Sequence, residues 1–460
     1  MAGGSPEAVA RSITWPALAR RLMPLDHVRV TPIVLGVGAI TLLGLGLRLV
    51  WALWADTIPL GGDPHWYYVV GWNIADGNGF VAARDELFEI PGPGEPTAFW
   101  PPGYPFALGA LFWTFGVSVT SAQVLNALLG AAAVPFCYAI GAKLFGRGAG
   151  LIAAGIYAIL PNAIAGIPVL FPEPLFTLMF VAALWLIVSF PLTERSRWPL
   201  LLAFGALTGM ALLTRGQGAV FIPIAALYWL QRDGWRPALR ASAVAAIAAV
   251  AIVAPWTARN YVEMDAFIPI STNSGAALRV GHNAESTGTT RWTDDIVGED
   301  GYRMEESLYR LDWEVEGYRE YTDLAIEYAL THPVDEVQLS GKKVYHLYRS
   351  DTDAIHWLDT LGATPLEPSW LQDGLPELLD ITYYALLFAS LAAAPLWFRR
   401  RDPARLLLVN TVLVWTLFHM AFLGEPRYHV PLFPLFALSL AGGIWALVDI
   451  LRRRARAPIV

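Results

Sequence analysis

The 460-residue chain has one cysteine, Cys137. It can form no intramolecular disulfide, and it leaves the redox compartment open. Charge is also scarce. Asp, Glu, Lys and Arg make up 15% of the residues, where soluble domains average about 25%. With 55% hydrophobic residues and a mean hydropathy of +0.45, that shortfall excludes an ordinary soluble domain. There is no GxxxxGK(S/T) loop, no HxxxH metal-ligand spacing, no internal repeat and no low-complexity tract. The first 30 residues are polar and basic. They lack the apolar core and small-residue cleavage site of a secretory leader, so residues 1–32 are expected to remain as a cytoplasmic leader.

Long apolar runs dominate what is there. A spanning helix needs about 20 apolar residues. Ten segments qualify or come close: 33–54, 120–142, 149–168, 174–190, 199–213, 216–230, 238–257, 379–398, 406–423 and 429–450. Residues 103–116 are apolar but short, and predict an interfacial helix. The fold class expected is therefore an α-helical polytopic membrane protein. Alternation from a cytoplasmic N-terminus puts Lys143 and Arg147, then Arg195 and Arg197, then Arg232, Arg236 and Arg240 inside. It does the same for Arg399–Arg401, Arg405 and the Arg452–Arg456 cluster, so every inner loop is basic, as the positive-inside rule requires.

Two long segments then face outward, 55–119 and 258–378. The second holds 23 acidic against 9 basic residues, a balance of −14, and leaves the rest of the chain at +7. It predicts an extracytoplasmic domain that is α/β or mainly helical, with helices at 302–330 and 333–350. An acidic outer face argues against a nucleic-acid partner. The division expected is a bundle at 33–257, this domain at 258–378 and final helices at 379–451.

The outward helix ends carry the chemistry. Pro59–Phe80 opens with Gly61-Gly62-Asp63-Pro64-His65, runs through an aromatic stretch and stops at Asp76-Gly77-Asn78-Gly79. Asp63 is placed either to cap a helix or to take a proton at the mouth of the bundle. Glu173, between two prolines, has the same two readings. Arg215, Arg259 and Arg427 lie on the same predicted face, either as interfacial anchors or as binders of an anion, since charges at a membrane are costly and usually functional. A divalent metal held by His65 and His429 with Asp63 or Glu173 has no close ligand spacing behind it.

Over residues 33–450 the sequence resembles the GT-C superfamily of membrane glycosyltransferases, within it the protein O-mannosyltransferases and the lipid A aminoarabinose transferase. The resemblance rests on Gly62-Asp63, Gly77-Asn78-Gly79, Pro101-Pro102-Gly103-Tyr104-Pro105 and Pro172-Glu173-Pro174-Leu175. It continues through Pro255-Trp256 with Arg259-Asn260-Tyr261, Pro269–Gly275, Gly281-His282-Asn283 and Arg427-Tyr428. It implies Asp63 as the catalytic carboxylate and Glu173 as a second acid on one cavity. It also implies a polyprenyl-phosphate sugar as donor, a lipid, glycan or protein as acceptor, and membrane lipid around both. Two departures stand out: Pro64 follows Asp63 where relatives carry a second acid, and Phe99-Trp100 stand where the aminoarabinose transferase has a lysine. Phosphate binding then falls to Arg84, Arg215, Arg259 and Arg427, and substrate contacts to His65, Tyr104, Tyr261 and Tyr428. The activity expected is inverting transfer of a hexose or pentose at the outer face of the cytoplasmic membrane. The competing expectation is a transporter or flippase of lipid-linked sugars.

Overall fold

The structure is a computed structural model that describes residues 32–55, 62–81, 95–189, 192, 198–290, 313–361, 370–399 and 402–456. Arg84 and most of the leader lie outside the described residues. The chain forms α1 (Pro32–Ala55), α2 (Gly62–Ala75), α3 (Gly103–Phe115), α4 (Val119–Phe145), α5 (Arg147–Ile159) and the short α6 (Pro161–Ala165). After these come α7 (Glu173–Ser189), α8 (Trp198–Thr214), α9 (Phe221–Asp233) and α10 (Trp235–Met264). The polar segment contributes α11 (Asn273–Gly281), α12 (Glu314–Thr331), α13 (Pro333–Tyr348) and α14 (Asp353–Leu361). The last three are α15 (Trp370–Trp397), α16 (Pro403–Ala421) and α17 (Phe433–Arg456). Short 3₁₀ turns at Gly216–Val220 and Pro426–Leu432 lead into α9 and α17.

The protein is a multi-pass membrane protein. In their described parts the ten predicted apolar segments fall largely on helices, 216–230 and 429–450 beginning on 3₁₀ turns, and 103–115 forms α3. Among the described residues six helices are long and apolar enough to cross a membrane, and α5, α7 and α8 are apolar but shorter. The 149–168 segment breaks because Pro161 cannot continue α5. Among the described residues there is no strand, only one isolated bridge between Val81 and Pro96. Of the two forms expected for 258–378, the described part is the helical one.

Small residues let the bundle close. Gly205 and Gly209 on α8 sit where any Cβ would press into Ala245 and Ala249 of α10, the close approach that drives helix association in lipid. Gly141 and Gly150 do the same between α4 and α5. Phe176, Phe180, Phe221 and Trp415 from α7, α9 and α16 interlock at the centre with ring centroids 5.3–6.4 Å apart. Arg48 of α1 is fully buried, and its guanidinium donates to the carbonyls of Ala158 at 2.9 Å and Tyr157 at 3.3 Å. It thus occupies backbone acceptors left open where α5 ends.

The polar segment is tied to the loop before α3 through Glu314. Its buried carboxylate accepts from Thr97 Oγ1 (2.8 Å), Ala98 N (2.9 Å) and Thr272 Oγ1 (2.8 Å). That junction leads straight into Trp100 and Pro101, which line a cavity with Tyr67 and Arg215.

Candidate active site

Gly62, at φ 61°, makes the left-handed turn that starts α2. Asp63 therefore sits in the first helical turn, with Pro64, His65, Trp66 and Tyr67 buried after it. Its carboxylate is engaged far away in sequence. Arg427 Nη1 donates to Asp63 Oδ2 at 3.0 Å, and each side chain is 18% exposed. A second pair lies beside it: Arg215, at the turn after α8, donates to Glu173 Oε1 at the start of α7. Tyr428 stands between the two guanidinium groups, its ring 5.3 Å from Arg215 and 5.6 Å from Arg427. Arg427 also rests on Phe171 and Trp357, and its backbone N–H donates to Asp353 Oδ2 at 3.2 Å.

Burial pushes the Asp63 carboxyl above the usual carboxylate range, against the pull of Arg427. It does the same to Asp353, with Glu425 adding to the rise. The phenol of Tyr67, one turn after Asp63, is pushed up by burial and then by Asp63. A base that is desolvated yet paired with a cation is the arrangement that tunes a proton acceptor.

Two cavities meet at Arg427. One, of about 330 Å³, is lined by Tyr67, Trp100, Arg215, Gln217, Ser271 and Tyr428 among others, with no carboxylate lining it among the described residues. Its size suits a small polar headgroup. The other lies against α7 and α14 and is lined by Glu173, Thr177, Asp351, Asp353 and Trp357.

Not every candidate joins this centre. Arg259 spends its guanidinium on the carbonyls of Phe80 and Thr97, at 2.7 Å each, and lines a separate cleft with Trp256 and Glu263. Tyr104 is fully buried, its hydroxyl donating to Asn126 Oδ1 at 3.0 Å. His65 is buried in α2, Tyr261 is 60% exposed near the end of α10, and neither lines the two cavities. His429 is engaged with the Leu347 carbonyl at 2.7 Å and Asp351 at 3.3 Å rather than with Asp63 or Glu173. Among the described residues no three His, Cys, Asp or Glu side chains gather to share an ion. Sequence reasoning missed Asp353, Trp357 and Thr177. The first was hidden among the many carboxylates of its segment, and the others carry no signal of their own.

Comparison with known proteins adds the family context. The model for dolichyl-phosphate-mannose-protein mannosyltransferases matches residues 100–258. No curated protein sequence matches the chain. Among solved structures, the oligosaccharyltransferase AglB of Archaeoglobus fulgidus, in complex with an inhibitory peptide and a dolichol-phosphate, is similar with TM-score 0.55. It is 16% identical, over 92% of this chain and 52% of that one. The apo form of the same organism's enzyme gives TM-score 0.55 at 17% identity, over 92% and 51%. ArnT of Cupriavidus metallidurans bound to undecaprenyl phosphate gives 0.42 at 15%, over 92% and 81%. The chain thus spans about half the length of the oligosaccharyltransferases it matches. Residues 100–258 are thus similar to the mannosyltransferase model, and the fold of the chain is similar to that of the oligosaccharyltransferase.

Proposed function

We propose that the chain transfers a sugar from a polyprenyl-phosphate donor to an acceptor hydroxyl, at the outward face of a cytoplasmic membrane, with inversion. The observation that carries this is the meeting of two carboxylate–arginine pairs around Tyr428, beside a cavity that among the described residues is lined by arginine and not by carboxylate. The dolichol-phosphate bound by the fold neighbour supports a lipid phosphate as ligand class.

In this reading Asp63 is the general base. It takes the proton of the acceptor hydroxyl as that oxygen attacks the anomeric carbon from the face opposite the phosphate. The bond from that carbon to the phosphate oxygen breaks, and the lipid leaves as a phosphomonoester with added negative charge. Arg427 and Arg215 meet that charge as it grows, with charge-assisted bonds stronger in the transition state than before it. In the resting site Arg427 is bonded to Asp63, so an arriving phosphate competes for the same guanidinium and loosens the base for its work. Arg259 holds the loop at Phe80 and Thr97 in place, and Glu173 orients Arg215.

Purified protein given a panel of radiolabelled polyprenyl-phosphate sugars should move label onto an acceptor. Label that only crosses the bilayer of proteoliposomes, still attached to its lipid, would refute transfer and favour the transporter.

A further inference from the structure

Glu173 and Thr177 lie one turn apart on α7, and both line the cavity closed by α14. Thr177 is 2% exposed and Glu173 7%. Glu173 Oε2 and Thr177 Oγ1 have no hydrogen-bond partner among the described residues. Buried polar atoms without a partner are rare and costly, so two on one helix face aimed into one cavity point to something that satisfies them. Asp351 and Asp353 add carboxylates to the same wall, with Arg427 the one cation lining it among the described residues. Trp357, in edge contact with Phe171 at 5.0 Å, adds an aromatic surface. This is the reverse of the neighbouring cavity, where among the described residues arginines line the wall without a carboxylate.

We infer that this cavity, of about 60 Å³, takes only the hydroxyls along one edge of the donor sugar, which donate to Glu173 Oε2 and Asp353 and pair with Thr177. The inference rests on the polyprenyl-phosphate reading above. It extends that reading by dividing the donor at Arg427, phosphate to one side and sugar to the other. It also names the sugars accepted. A neutral or amine-bearing polyol fits three carboxylates. A uronic acid does not, because its carboxylate would be brought against like charges on the wall.

Thr177→Val is the most informative variant. It removes an unsatisfied hydroxyl at nearly constant shape, so the melting temperature should hold or rise. A hydrogen bond to sugar would still be lost, and KM for a sugar-bearing donor should rise about 2–10-fold. Asp353→Asn keeps an acceptor for the Arg427 N–H and should cost about 10–150-fold in kcat/KM. It should also narrow the preference for polyprenyl-phosphate hexose over the uronic acid on the same lipid. Affinity for bare polyprenyl phosphate should be unchanged in both variants. Unchanged KM in Thr177→Val, or equal weakening of bare lipid phosphate in Asp353→Asn, would overturn the assignment. If the wild type transfers no donor, the reading of the enzyme fails. The cavity is then judged by binding alone, and a sugar-bearing lipid held no more tightly than the bare phosphate sinks it.

Discussion

Replacing Asp63 by Asn removes a proton acceptor and also half of an ion pair. The pair is 3.0 Å long and 18% exposed on each side, so the change leaves Arg427 desolvated without its counter-ion. Breaking a fully buried pair from one side costs about 3–5 kcal/mol. Partial exposure and the rings of Phe171, Trp357 and Tyr428 around Arg427 bring the expectation to about 1–3 kcal/mol. Asp63→Asn should therefore melt lower than wild type yet remain folded at the assay temperature, with turnover reduced by about 10²–10⁴. Asp63→Glu separates the two roles. It keeps the charge and the tie to Arg427, so stability should return, while the displaced carboxylate should leave turnover at least about tenfold down, since small misplacements of a catalytic group are expensive. The pH profile gives a third readout. Burial raises the Asp63 pKa, and the working base is the ionised form, so kcat/KM should rise with pH through a limb above the ordinary carboxylate range. That limb should vanish in Asp63→Asn. The assay is single-turnover transfer in one detergent preparation, with thermal unfolding measured alongside. Turnover of the folded Asn variant within threefold of wild type would refute the base assignment. Full activity in Asp63→Glu with restored stability would reduce Asp63 to a structural counter-ion.

Arg427→Ala should weaken donor use by about 10–150-fold, the loss of a charge-assisted bond to phosphate, and Arg427→Lys should recover only part, because a fork becomes a point charge; wild-type donor affinity in the alanine variant would contradict this. Gly424→Ala would drive a Cβ into the backbone carbonyl of Lys343, displacing the loop that leads to Arg427, so activity should fall far more than helix content by circular dichroism; unchanged kcat/KM would show that the loop yields without moving the arginine. Lys343 is buried beside His282 and Glu336, and burial lowers its pKa to about 8 from 10.5. Between those values the unfolded chain binds a proton that the native chain does not, so native stability should rise with pH across that window relative to Lys343→Met; parallel melting curves for the two proteins would refute it.

The helices were legible because lipid leaves a chain little choice. Backbone groups must be satisfied within each segment, so an apolar run of sufficient length becomes a helix. Topology then followed from the basic loops, and it brought Asp63, Glu173, Arg215, Arg427 and Tyr428 to one predicted face. The structure gathers these five. What sequence could not give was the pairing among them. Arg427 with Asp63 and Arg215 with Glu173 depend on how α2, α7 and the turn before α17 pack, over separations no local pattern records. Arg259 looked the equal of the other two, but its neighbours are backbone carbonyls of Phe80 and Thr97, which carry no side-chain signature. Asp353 was one acid among many. Arg48, a lone cation inside an apolar run, had the one signal that could have been used, since such residues are expensive in a membrane.

The Asp63–Arg427 pair joins residues 364 positions apart. A ribosome delivers Asp63 long before Arg427, and chains fold as they are made, N-terminal elements first. Until the turn before α17 is released, Asp63 lacks the Arg427 half of its ion pair. The order of synthesis thus sets an order of assembly: the pair closes only once that turn has packed against the start of α2.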